Sequence, residues 1–358
     1  MTNTSQVKTS LIPWDNPHDL LSHRDYLLAA FILSCVVKPV VVAVGLPSNI
    51  INCVVFWRQG LQDRMNVCLL ALSVADLGLI TVTALFSVSY YLEQIDPVTY
   101  EGLFAYFQTY IAGVGQGFRT ASGCITMVIA VERCLCVMFP LKAASLISTR
   151  NMSVVMVFIG CFSQVAFFTM PARFVIIKVN STTSKMGPVS SDLYLKNQVF
   201  FTILENIVMM SVVPIATFLI ISLSTGLTVV KLRAAMDWRR KFGSSSDESR
   251  SQHTAVTKML VLVSSVYIVT TIPWVIFYLA SLTVQEFSLT GQFYNLYMTS
   301  IVAVYHLPYI NSSVGFFVYF NRSTRFRKDV LDTCGGSCKV QSGLGREVKT
   351  VSKALNYL

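Results

Sequence analysis

Seven long apolar runs, separated by shorter polar connections, make up most of this chain. They extend over Ala29 to Trp57, Val67 to Leu92, Leu103 to Met138, Met152 to Ile177, Val199 to Leu232, Val256 to Leu282 and Tyr294 to Phe320. A helix rising about 1.5 Å per residue needs roughly 20 residues to cross about 30 Å of hydrocarbon, and every run is longer than that. The runs are apolar nearly all round, whereas a soluble bundle needs a polar stripe on each helix. The pattern therefore predicts an all-α fold, a seven-transmembrane helix bundle over 29–320, flanked by an amino-terminal segment over 1–28 and a tail over 321–358.

Composition agrees, with 53% hydrophobic and only 13% charged residues and a mean hydropathy of +0.59, values outside the range of soluble domains. The net charge of +10 does not point to nucleic acid, because Lys and Arg sort by connection rather than along one groove-facing element. Alternate connections hold most of them: Arg58 and Arg64, then Lys142 and Arg150, then Lys231 to Lys258, then the tail. The other side has Lys8, Arg24, Arg173, Lys178, Lys185 and Lys196. The positive-inside rule then expects an extracellular amino terminus and a cytoplasmic tail, consistent with an odd number of crossings in the plasma membrane. No apolar core precedes Tyr26, so the first span is expected to act as its own insertion signal. Asn3 and Asn180 head Asn-x-Ser/Thr triplets on the expected outer side and are glycosylation candidates, although such triplets also arise by chance.

Seven of the nine cysteines lie within spans or at their inner ends, which leaves no extracellular disulfide framework. Cys334 and Cys338 follow a basic segment in the tail, where S-palmitoylation would tie the chain to membrane lipid; free thiols are the alternative.

Polar residues inside the runs are informative because a charge in the bilayer costs about 3 kcal/mol or more. Asn49 and Asp76 lie within the first and second runs, and the third ends Glu132-Arg133-Cys134 with Pro140 just beyond. Pro214 and Pro273 interrupt the fifth and sixth, and the seventh holds Asn311-Ser312 and Tyr319. In this order the residues resemble the class A, rhodopsin-like G-protein-coupled receptors, from the first span through Phe326 and Arg327, which match the start of that family's amphipathic helix after the seventh span. Asn311-Ser312-Ser313-Val314-Gly315-Phe316-Phe317-Val318-Tyr319 and Glu132-Arg133-Cys134-Leu135-Cys136-Val137 resemble invertebrate, especially molluscan, FMRFamide-like peptide and chemosensory receptors.

The resemblance implies an extracellular ligand and a heterotrimeric G-protein partner. It also implies an activation switch built from Glu132, Arg133, Cys134, Pro140, Pro273 and Tyr319. Arrestin and a receptor kinase would use serines such as Ser244 and Ser249 in the long fifth-to-sixth connection, although Ser-rich loops of this kind are more often plain linkers. Asp76, Ser122, Asn311 and Ser312 match residues that surround a sodium ion in that family, with Asn49 in the same polar network. A hydrated network without an ion fits the same residues. No other cofactor is implied.

Several positions depart from the family pattern. Gln108 stands where the third helix carries a disulfide Cys, Thr271 where the sixth carries a Trp, Gly315 and Phe316 where the seventh carries Asn-Pro, and His253 where many relatives hold an acid facing the Arg133 position. The last of these predicts weak locking of Arg133.

Arg119 is the main ligand-binding candidate, since a guanidinium fork in the outer half of the bundle suits an anionic ligand group. Pairing with Glu205 or another internal acid is the alternative. No acid lies between Leu103 and Val131, so the ammonium anchor of resembling amine receptors is missing, and the seventh run has no Lys to bind retinal. His18, His23, His253 and His306 are scattered, which argues against an enzyme. A multi-pass transporter or channel, with Asp76, Arg119 and Glu205 along a path, is the remaining alternative.

Overall fold

The computed structural model describes residues 13–139, 148–178, 186–242 and 248–333. Seven helices long and apolar enough to cross a membrane run over His23–Arg58, Arg64–Ile95, Ala112–Met138, Thr149–Arg173, Gln198–Asp237, Thr254–Thr283 and Tyr294–Arg322. They pack as a bundle in which the third span touches the second, fourth, fifth and sixth, and the seventh closes against the first. A further helix over 324–333 follows the seventh and buries Phe326 and Val330, one turn apart, against the bundle.

The spans begin where side chains satisfy the first backbone donors. Asp63 caps the second span by accepting from the Met65 amide at 3.0 Å, Ser148 caps the fourth through the Asn151 amide, and Ser22 forms a reciprocal capping box with Asp25 at the first. Gly60, at φ +89°, turns the chain between the first and second spans, a backbone conformation that side chains disfavour. Pro47, Pro273 and Pro308 lie inside helices, which neighbouring helices make tolerable in a membrane bundle.

Burial is that of a membrane bundle rather than a soluble one. The interior joins Val55, Leu69, Ile129, Met156, Leu260 and Tyr319, while Val157 and Phe158 on the fourth span are 66% and 64% exposed. Apolar side chains of that size, ranged along an entire helix face, need hydrocarbon around them.

The elements differ from the hydropathy reading at three points. Leu103 to Met138 is not one helix: a short helix, Leu103–Tyr110, stops at Ile111 and the span proper begins at Ala112. Gly102 in the left-handed region starts the short helix, and the Glu93 carboxylate holds its Phe104 amide at 3.0 Å. Since Ile111 is apolar, no hydropathy trough marks the break. The fourth run ends early, and Phe174–Lys178 forms strand β1, paired antiparallel with β2, Met186–Ser190. The apolar sequence Phe174-Val175-Ile176-Ile177 suits a strand as well as a helix, which hydropathy does not distinguish. Gln108 lies in the short helix, which packs on both strands. Finally, the first and fifth spans contain π-helical turns at Ile32–Val37 and Thr202–Val212, which widen the helix without any sequence mark.

Candidate functional site

Within the bundle a cavity lies between the third, fifth, sixth and seventh spans. Its lining includes Arg119, Thr120, Thr217, Tyr267, Thr271 and Trp274, and no carboxylate. Arg119 faces inward from the third span, with its guanidinium carbon 4.3 Å from the Trp274 ring centre and 5.3 Å from that of Tyr305. The two rings meet edge to face at 5.1 Å, so they form a corner of negative ring faces around the cation. Pro273 precedes Trp274 directly, and the indole is 4% exposed with its Nε1 unpartnered. The Trp absent at position 271 is therefore not replaced in place: an aromatic three residues further on occupies the cavity.

Glycine makes room one turn further along the same helix. A Cβ on Gly123 would lie 2.8 Å from the Tyr267 hydroxyl, which shares a 3.3 Å hydrogen bond with Thr217.

The alternative partner for Arg119 is excluded by Glu205 itself. The carboxylate of Glu205 is buried and bound by Arg173 at 3.2 Å, and Arg173 also donates to the Tyr194 hydroxyl and lies over its ring. Arg119 has no ion pair among the described residues. Glu205 lies in the π-helical stretch Thr202–Val212 of the fifth span, and its partner Arg173 ends the fourth.

Below the cavity, Asp76 accepts hydrogen bonds from Ser122 at 2.7 Å and Ser312 at 2.8 Å, both on the same oxygen. Asn49 donates to the Ser312 carbonyl at 2.8 Å and to Gly45. The second, third and seventh spans thus meet at one carboxylate, and the first joins them through the Ser312 carbonyl. A second, small cavity is lined by Asp76, Thr126, Asn311, Gly315 and Tyr319, so Asn311 adjoins the cluster. The donor set is one carboxylate with neutral oxygens, chemistry that fits a hard cation, and Gly315 contributes no side-chain ligand.

At the far end of the third span Glu132 is 1% exposed and holds two cations. Arg133 Nε donates to one carboxylate oxygen, and Arg64 Nε to the other at 2.8 Å. Cys136 Sγ also donates to the second oxygen at 3.3 Å. Cys134 turns instead to Met138, 3.6 Å away. Tyr319 is 2% exposed in an aromatic cluster, edge-on to Phe56 at 5.2 Å and 5.6 Å from Phe326. The sequence reading missed Arg64 and Cys136. Arg64 could have been noticed as a cation in the first turn of a helix, where the dipole disfavours one.

Pro140, Asn3, Asn180, Cys334, Cys338, Ser244 and the side chain of His253 lie outside the described residues. Residues 48–319, about three quarters of the chain, match the family model for the 7 transmembrane receptor (rhodopsin family). No curated protein matches the chain.

Proposed function

The chain belongs to the rhodopsin family of seven-transmembrane receptors, and from that membership we propose that it is a plasma-membrane receptor that couples ligand binding to a heterotrimeric G protein. Its amino terminus lies outside, as the distribution of Lys and Arg indicates. The observation that carries the reading is that one helix, Ala112–Met138, bears both Arg119 in the cavity and Arg133 at the opposite end, 14 residues or about 21 Å away. Ligand at one end can bias the packing at the other if it binds two arrangements of the bundle unequally.

The ligand is a small chemosensory molecule or short peptide with an anionic group. A carboxylate meets Arg119 with two parallel hydrogen bonds, while Thr120, Thr217, Thr271 and Tyr267 offer hydroxyls to its polar remainder. The arginine of an RFamide-type peptide would meet like charge there, which favours the acidic small molecule. The three intramembrane charges of a transport path have different neighbours: Arg119 two rings, Asp76 two serines, Glu205 Arg173. No observation favours that alternative.

Activation separates Arg133 from Glu132 and frees its guanidinium for carbonyl groups of the G-protein terminus as the sixth span moves outward about a hinge near Pro273, and Cys134 and Pro140 complete the proposed switch. Tyr319 leaves its aromatic cluster in the same change. Asp76, Ser122, Asn311 and Ser312 would hold a sodium ion, whose charge would stabilise the ligand-free packing. Arrestin, a receptor kinase, palmitoylation at Cys334 and Cys338 and glycosylation at Asn3 and Asn180 complete the proposal.

The test is expression with a promiscuous G protein and measurement of calcium release against acidic small molecules and RFamide-type peptides. A saturable response to an acid, lost in Arg133→Ala at equal surface expression, is expected. A substrate flux or current in place of any response, with surface expression confirmed, would sink the receptor reading.

A further inference from the structure

Glu132 has two arginines and one of them does not belong to the switch. Arg64 is the first residue of the second span, a place where the helix dipole disfavours a cation, and it is held there by the Glu132 carboxylate. The turn that presents it is fixed independently of the third span. Asp63 caps the helix, Asn66 Nδ2 donates to the Gly60 carbonyl at 3.0 Å, and Thr149 Oγ1 donates to the Gln62 carbonyl at 3.0 Å.

The division of oxygens matters more than the number of cations. Arg133 uses Oε2 of Glu132, whereas Arg64 and the Cys136 thiol share Oε1. Arg64 also reaches Cys136 Sγ at 3.3 Å, so the three groups form a closed ring that does not involve Arg133. The Glu132 side chain is 2% exposed, against 9% for Arg133 and 21% for Arg64. A carboxylate this buried cannot be left without a counterion except at large cost, and breaking a buried pair by removing one partner is strongly unfavourable.

We propose that Arg64 is a positioning residue for activation: it keeps the buried Glu132 carboxylate paired when Arg133 departs, and so lowers the cost of the active arrangement. The inference rests on the coupling role proposed above for Arg133. It runs opposite to the intuition that a second cation tightens the lock. Without Arg64, Arg133 is the sole guanidinium on a buried anion and is harder to release. With Arg64 in place the carboxylate exchanges two partners for one and is never bare. Neutralising Glu132 removes the need for either.

The experiment uses the full chain in lipid nanodiscs and measures binding of synthetic carboxy-terminal peptides of the G-protein α-subunit classes. Arg64→Gln is expected to weaken peptide binding by about tenfold or more, and Arg64→Lys by less. In a Glu132→Gln background the same Arg64→Gln change is expected to alter binding by less than about twofold, because no buried anion remains. Arg64→Met, which keeps the apolar stem, runs alongside in case Arg64→Gln fails to reach the membrane. Equal loss in both backgrounds would mean a merely structural Arg64 and would overturn the inference, as would unchanged or stronger binding in Arg64→Gln. Wild-type protein that binds none of the peptides, in the same way as Arg133→Ala, would instead overturn the coupling reading beneath it.

Discussion

Arg119 lies 4.3 Å over the ring of Trp274, a cation on the third span resting on an aromatic of the sixth. Because the lining has no acid, the rings hold the cation in place without neutralising it, and its hydrogen-bonding fork remains unsaturated toward an incoming anion. Arg119→Gln should abolish the response to acidic ligands, and Arg119→Lys should restore only part of it, since a point charge lacks the bidentate fork. Concentration–response curves at matched surface expression check this; a full response in Arg119→Gln would remove Arg119 from ligand recognition.

Trp274 contributes volume as well as a ring face. Trp274→Ala should destabilise the detergent-solubilised protein by about 3–5 kcal/mol, the usual cost of deleting a buried aromatic, whereas Trp274→Phe keeps a smaller π face and should lose much less. Thermal melts of the two variants side by side decide the matter, and equal melting temperatures would argue against the cation–π contact.

Gly123 and Tyr267 form a fitted pair. Gly123→Ala puts a methyl 2.8 Å from the Tyr267 hydroxyl, so the ring must shift and the 3.3 Å bond to Thr217 is disturbed. The melting temperature should fall, and adding Tyr267→Phe should recover part of the loss by removing the clashing oxygen. Additive losses in the double variant would contradict the geometry.

Glu205 and Arg173 predict a stability pattern of another kind. Glu205→Leu strands the half-exposed Arg173 cation and Arg173→Leu the buried Glu205 carboxylate, while the double replacement strands neither. The double variant should therefore melt above at least one single variant. Two losses that simply add would mean that the pair is not coupled.

Asp76 gives a test by ion exchange. Replacing sodium by a large organic cation should change agonist affinity in the wild type and leave Asp76→Asn insensitive, because the neutral amide removes the anion while the Ser122 and Ser312 oxygens remain. Identical affinities in both ions for the wild type would leave the cluster as a purely protein network.

The polar residues of this chain were visible in sequence to different degrees. Asp76, Asn49 and Ser312 stood out because charge or amide inside an apolar run demands a partner, and the structure joins them within two hydrogen bonds. Trp274 did not stand out: an aromatic in an apolar run carries no penalty that would mark it, and only the cation above it shows its place. Glu205 was legible as a residue with a partner but not as to which, because composition does not say which cation of another span comes within reach.

Seven crossings, the bundle and the order of its intramembrane polar positions follow from sequence alone, because hydrocarbon imposes length and apolarity on each span separately, before any span meets another. Pairing is a different matter. That Arg64 shares Glu132 with Arg133, that Arg119 rests on rings instead of an acid, and that Phe174–Lys178 turns into a strand depend on distances between segments far apart in the chain. Only the packed bundle fixes such distances, since a side chain's partner is chosen by which helix face lies within about 3–5 Å of it and not by its own chemistry.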